Sequence, residues 1–243
     1  ILDDIYIETN DWIFDCYMWS SFYLFIVCAH NQCIFYNLNE KSIEKIVYCS
    51  QKCMLYSARI INLEINRPSE KDLNDLLVAS GTIFNEILLW SPNDGQIFST
   101  LKAHQGVIFY IEFSPITGHL FTTSDDRSVN VWHLKFDSIS INDRISKKLT
   151  NSQLYTRFYG HAARVWQCVS FLDNDNVEYL CSIGEDLNMC LWNVNEKCLI
   201  YRFDAMRKGS KNIWSLCKNF DSMEILTGWC DGGLRKIDLK HYI

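Results

Sequence analysis

The stretch Ala103–Trp132 reads A-H-Q-G-V-I-F-Y-I-E-F-S-P-I-T-G-H-L-F-T-T-S-D-D-R-S-V-N-V-W. It sets His104, Thr122, Asp126 and Trp132 into runs of β-branched and aromatic residues. The plan then returns. G-H-A-A-R-V-W-Q-C-V-S-F from Gly160, followed by Y-L-C-S-I-G-E-D-L-N-M-C-L-W from Tyr179, places His161, Ser182, Asp186 and Trp192 in the same order. In both copies the Asp stands six residues before the Trp. Polar groups embedded in strand-like sequence need hydrogen-bond partners once buried, and each set holds the donors and acceptors to satisfy itself. A sequence that repeats such a set names a repeat architecture.

Working outward, the strands ending Ile34-Phe35-Tyr36, Ile87-Leu88-Leu89-Trp90, Val129-Asn130-Val131-Trp132, Met189-Cys190-Leu191-Trp192 and Arg235-Lys236-Ile237 align at intervals of 54, 42, 60 and 45 residues. Two of these intervals sit near the ~40–45 residues of a four-stranded propeller blade. The other two hold inserts, 66–75 and 135–153, whose polar composition predicts long surface loops. Short strands divided by turns run through every unit, with no sustained helical period. Five units result, at about 11–50, 54–101, 104–159, 161–203 and 211–243. The fold class is all-β, a propeller region of four-stranded blades with about five visible. Because the chain opens on Ile1 and shows five units, the reading expects part of a longer protein.

Composition narrows the function classes. Of 243 residues, 48% are hydrophobic and 14% aromatic, which excludes a disordered chain. The net charge of −6 argues against an independent nucleic-acid binder, since phosphate contacts need clustered Lys and Arg. Eleven cysteines without a C-x-x-C pair, most of them in apolar runs, read as small buried hydrophobes of a reducing compartment. A cytoplasmic location follows as an expectation. Tyr23–Ala29 is the longest apolar run and is too short to span a bilayer. No G-x-S-x-G, H-E-x-x-H or Walker-type phosphate loop occurs. No catalytic residue, cofactor, metal ligand or small-molecule substrate is therefore expected.

The pattern resembles the WD-repeat β-propeller family over nearly the whole chain. That resemblance implies a buried intrablade network of His104, Thr122, Asp126 and Trp132, and of His161, Ser182, Asp186 and Trp192. The last unit keeps only Asp231 of the set. The first two carry Asn31 and Asn85 at the turn without a matching His, so packing alone is expected to hold them. Longer segments are similar to a narrower branch, the WD repeat-containing protein six family: D-W-I-F-D (11–15), C-A-H-N (28–31), L-L-V-A-S-G-T-I-F-N-E-I-L-L-W (76–90), H-Q-G-V-I-F (104–109), S-D-D-R-S-V-N-V-W (124–132) and G-H-A-A-R-V-W (160–166). That branch implies a non-catalytic scaffold for a Rossmann-fold tRNA ribose methyltransferase, supporting 2′-O-methylation of the tRNA wobble nucleotide and meeting tRNA through the complex. The alternative is a peptide-reading adaptor such as a ubiquitin-ligase substrate receptor. It is weakened because no W-D-x-R tail follows Trp132 or Trp192.

On either reading the binding surface is the rim formed by the loops before the first strands and the turns after the second. Arg127, Arg164, Asp125 and Asn212 are the candidate partner-binding residues there. Phe158, Tyr159 and Trp166 read as core, and His30, His119, His133 and His241 as surface or strand-end residues. Arg207-Lys208-Gly-Ser-Lys211 is the best local candidate for contact with an RNA backbone, and Arg144–Lys148 is a second basic run.

Overall fold

The computed structural model describes residues 6–63, 75–141, 144–204, 212–219 and 223–243. The strands among them form five antiparallel sheets. The first contains β1 (Ile13–Met18), β2 (Tyr23–Cys28), β3 (Gln32–Asn37) and β4 (Ser42–Tyr48). The second contains β5 (Leu55–Asn62), β6 (Leu76–Thr82), β7 (Glu86–Trp90) and β8 (Ile97–Lys102). The third contains β9 (Ile108–Ser114), β10 (His119–Ser124), β11 (Ser128–Ile141) and β12 (Arg144–Tyr159). The fourth contains β13 (Val165–Leu172), β14 (Glu178–Gly184), β15 (Asn188–Asn193) and β16 (Cys198–Asp204). The fifth has three strands, β17 (Ile213–Lys218), β18 (Glu224–Trp229) and β19 (Leu234–Asp238). Each sheet is a meander in which consecutive strands pair.

The chain divides into two compact units. One comprises Ile1–Lys102 with Lys135–Asn151, the other Ala103–Leu134 with Ser152–Ile243. In the first, β1 lies against β5; in the second, β13 lies against both β9 and β17. The middle strands explain the apolar runs. L-L-V-A-S-G-T of β6 and E-Y-L-C-S-I-G of β14 are buried at every position, as strands covered on both faces must be. The fourth strand β4 is exposed everywhere except Val47. In the first unit Phe25, Phe35, Val78, Leu88 and Trp90 share one core. In the second, Phe121, Val131, Phe158, Leu180 and Trp192 share another.

The connection between second and third strands has three residues in the first four sheets and four in the fifth. The last loop residue of the first four is left-handed, Asn31 (φ 55°), Asn85 (62°), Arg127 (68°) and Leu187 (64°), and in the fifth the left-handed residue is Gly232 (80°), one residue before the loop's end. The N–H of each donates to the carbonyl three residues back, at 3.1–3.3 Å. In the first four this is the three-residue hairpin that suits right-twisted strands.

The insert 135–153, expected as a polar loop, is instead strand. β11 runs on to Ile141 and β12 begins at Arg144. A two-stranded ribbon satisfies its own backbone bonds while side chains such as Lys135, Asp137, Lys148 and Thr150 stay exposed. Of the other insert, residues 66–74 lie outside the described residues. Asp75 at its end is buried, and its carbonyl accepts from Leu63 N–H at 2.9 Å.

All eleven cysteines are free. Burial pushes the Cys28 thiol up to about 11, with Asp11 adding to it, and the Cys190 thiol up to about 12. A brief maleimide treatment of the native protein at neutral pH is expected to label the exposed Cys16, Cys198, Cys217 and Cys230. The rest should react only after unfolding, because thiolate and access are both needed. Mass spectrometry counts the adducts. Rapid native labelling of Cys28 or Cys190 would contradict the burial.

Candidate docking rim and the networks beneath it

His104 lies in the loop before β9, Thr122 in β10, Asp126 in the β10–β11 turn and Trp132 in β11. The fold brings all four together. Trp132 Nε1–H donates to Thr122 Oγ1 at 3.0 Å, the Thr122 hydroxyl meets His104 Nε2 at 2.8 Å, and His104 Nδ1 meets Asp126 Oδ2 at 2.9 Å. The proton arrangement that satisfies every atom has Thr122 donating to Nε2 and Nδ1–H donating to the carboxylate. Gln105 N–H, Ser128 N–H and the Ser128 hydroxyl also donate to Asp126.

The fourth sheet repeats the chain. Trp192 Nε1–H donates to Ser182 Oγ at 2.8 Å, Ser182 Oγ lies 2.8 Å from His161 Nε2, and His161 Nδ1 lies 3.0 and 3.1 Å from the two Asp186 oxygens. Ala162 N–H completes the carboxylate's partners at 2.8 Å. Burial raises the cost of charging Asp186, but the His161 hydrogen bond and charge, with Ala162 N–H and Asn188, outweigh it and hold the carboxyl at about 2. The same balance, with desolvation opposed by His104 and Ser128, places Asp126 lower still.

A second device backs each network. The Arg157 guanidinium on β12 donates to Ala103 O, immediately before His104. Arg202 on β16 donates to Gly160 O, immediately before His161. The outermost strand thus grips the loop that delivers the histidine.

Packing alone does not hold the first unit. Asn31, in the turn of the first sheet, reaches Ser80 of the second. Ser80 Oγ–H donates to Asn31 Oδ1 at 2.9 Å and accepts from Trp90 Nε1–H at 2.9 Å, while Asn31 Nδ2 donates to Gln51 O at 3.0 Å. Asn31 takes the histidine's place from 49 residues away, so the short span that marks the other two networks is missing. Ser80→Ala strands a buried indole N–H and a buried amide oxygen, and should cost about 1–3 kcal/mol in a denaturant melt. In the fifth sheet Asp231 pairs with Arg235 at 3.0 Å at the surface, and Trp229 Nε1–H donates to Thr227 Oγ1 at 2.7 Å.

The networks hold a rim of charged and aromatic groups. Arg164 Nε lies 2.7 Å from Asp125 Oδ1 and 3.6 Å from Glu185 Oε2, joining the third and fourth sheets within the second unit. Arg127 is exposed. Asn212 is half-buried, and its carbonyl accepts from Cys230 N–H at 3.0 Å. So Asp125 and Arg164 are brought together, with Glu185 added. The structure shows no contact joining Arg127 or Asn212 to them.

Sequence reasoning missed the bulges. The first strand of every sheet shifts register near its start, and the extra residue is aromatic each time: Phe14, Tyr56, Phe109, Trp166 and Trp214. A bulge re-aims the side chain it carries. Trp166, expected in the core, is half-buried at such a bulge, with Phe109 5.3 Å away and Trp214 stacked on it at 5.5 Å. Phe158 is core, stacked on Trp192 at 4.8 Å. Tyr159 is 66% exposed, because it ends an edge strand and points outward beside Arg157.

His119 is a strand-end residue, the first of β10, and is largely buried. Its side chain is 12% exposed, and Nδ1 pairs with the buried Glu178 carboxylate, which also accepts from Thr117 Oγ1 at 2.8 Å. The ring lies 4.7 Å from Tyr155. This clasp joins the third sheet to the fourth and uses no exposed group. No cluster of three or more His, Cys, Asp or Glu among the described residues could hold a metal ion. No helix among them is long and apolar enough to cross a membrane. The basic stretch 207–211 lies outside the described residues, as do the side chains of Arg144–Lys147.

The comparisons agree with this geometry. The family model for the WD domain, G-beta repeat, matches residues 95–133. The tRNA (34-2′-O)-methyltransferase regulator WDR6 of Mus musculus is 27% identical over 93% of the chain. Its counterparts from Homo sapiens and Drosophila melanogaster are 26% and 28% identical over 93% and 82%. The chain spans only 18–19% of the length of these relatives. Among solved structures, a chain of the mitotic checkpoint complex superposes with a TM-score of 0.67 at 15% identity, covering 96% of this chain and 62% of that one. The C-terminal WD40 domain of Sif2 does so with a TM-score of 0.62 at 17% identity, covering 94% and 56%. Repeated sheets, buried His–Ser/Thr–Asp–Trp relays and recurring second turns coincide with these matches, and the fold is that of a WD40-type β-propeller region.

Proposed function

We propose that the chain is part of a non-catalytic, cytoplasmic adaptor that holds a tRNA 2′-O-ribose methyltransferase of the Rossmann class and supports methylation of the tRNA wobble nucleotide. The observation that carries this is the similarity, over nearly the whole chain, to proteins named as regulators of that methyltransferase. Fold alone would not license it.

The physical role is orientation. Buried networks fix the loops, the loops fix the rim, and a rigid rim holds the catalytic subunit in one geometry relative to its substrate. The peptide-reading ubiquitin-ligase alternative has no comparable support among these relatives.

Arg164 is the residue to test. Its side chain is half exposed and its ion pairs are worth about 0–1 kcal/mol to stability, so its replacement should leave the fold intact. Arg164→Glu gathers three carboxylates where one cation stood. With full-length protein as bait, it should cut recovery of the methyltransferase at least about tenfold, since it removes the Arg164 bridge that holds Asp125 and Glu185 in one arrangement on the rim. Arg127→Glu should act in the same direction. Undiminished recovery with both variants overturns the rim assignment.

A further inference from the structure

We propose that the aromatic stack Phe109–Trp166–Trp214, with the carboxylates of Asp125 and Glu185 beside it, is a binding site for a cationic side chain, arginine or lysine, presented by an extended segment of a protein partner. The inference rests on the adaptor reading and specifies what one part of the rim recognises.

Three observations converge on it. The three rings come from the bulge position of three first strands, so their placement is a repeated feature of the backbone and not a chance contact. Trp214 remains 52% exposed although it stacks on Trp166. An exposed indole face attracts cations through its quadrupole. The Asp125 and Glu185 carboxylates remain half exposed at the same strand ends.

Charge selects the ligand. Asp125 follows Ser124, the bond partner of Ile108, and Glu185 follows Gly184, the bond partner of Val165. Both carboxylates therefore stand at the strand ends that carry Phe109 and Trp166. Both are half exposed, and one guanidinium, Arg164, serves the two. It is close to Asp125 at 2.7 Å and loose on Glu185 at 3.6 Å, so the cluster keeps one net negative charge, centred on Glu185. Single-stranded nucleic acid also stacks on aromatic platforms. Here its phosphates would meet these carboxylates, and Arg164 is already committed to them.

The test uses the full-length protein flowed over an immobilised, end-blocked peptide Gly-Ser-Arg-Ser-Gly, read by interferometry. Saturable binding is expected. Trp214→Ala should weaken it about tenfold while Trp214→Phe stays within about threefold, as a cation–aromatic contact requires. Glu185→Gln should weaken it as well, and citrulline in place of arginine should abolish it. No binding, equal binding of the citrulline peptide, indifference to Trp214→Ala, or tighter binding of a uridine decamer overturns the proposal. Normal methyltransferase recovery alongside any of those results leaves the adaptor reading standing. Peptide binding as expected, without methyltransferase recovery, would sink the adaptor reading alone.

Discussion

Replacing Asp186 with alanine is expected to cost about 2–4 kcal/mol of folding stability, because it strands a buried His161 Nδ1–H and the Ala162 N–H together. For a chain of this size that lowers the melting temperature by roughly 4–16 °C. The deficit should also depend on pH in a defined direction. The folded carboxyl titrates at about 2, below an unfolded value near 3.9. Its stabilisation is therefore complete above about pH 4 and is lost as pH falls through about 2. Urea melts of wild type and Asp186→Ala at pH 7, 4 and 3 read the difference directly. It should be constant from pH 7 to pH 4 and shrink at pH 3. A cost below about 0.5 kcal/mol at pH 7 would remove Asp186 from the network.

Gly184→Ala should be as severe, through crowding. A Cβ at Gly184 would sit 2.7 Å from Arg164 O, 2.8 Å from His161 Nδ1 and 3.0 Å from Asp186 Oδ1. Two of these atoms belong to the network and the third is backbone of the rim loop, so relief in any direction breaks a hydrogen bond. Overpacking of this kind costs about 1–3 kcal/mol, and loss of the His161–Asp186 bond adds to it. The double variant Gly184→Ala/Asp186→Ala should cost less than the two single changes summed, because both act on one unit. Strict additivity would show that the glycine is needed for something else. The variant should also loosen Arg164, whose carbonyl accepts from Glu185 N–H at 2.8 Å, and so link fold stability to the rim.

The parts legible in the sequence were those whose chemistry is local. His161, Ser182, Asp186 and Trp192 lie within 32 residues, and the Ser/Thr, Asp and Trp keep the same spacing in both relays, so the relay can be inferred from residue types alone. Ser80 and Trp90 keep the same ten-residue spacing, but the asparagine that takes the histidine's place comes from another sheet, 49 residues before Ser80. The His119–Glu178 clasp is likewise non-local, and a lone histidine at a strand start gives no sign of it. The bulges left no trace because a register shift changes which way a side chain points without changing composition. That is how Trp166, packed against the core as expected, also came to stack on an exposed ring at the bulge. The β11–β12 ribbon was hidden for the opposite reason: Lys135, Asp137, Lys148 and Thr150 are exposed, and polar composition there indicated exposure and said nothing about backbone conformation.

This rim is proposed to serve a methyltransferase acting on the wobble ribose. The most direct test is to map 2′-O-methylation at the wobble nucleotide of tRNA from cells that lack the full-length protein, and from the same cells given back either the wild type or Arg164→Glu. Loss of the methyl group is expected, with recovery on return of the wild type and little or no recovery with Arg164→Glu expressed at equal level. Full wobble methylation in cells without the protein would contradict it.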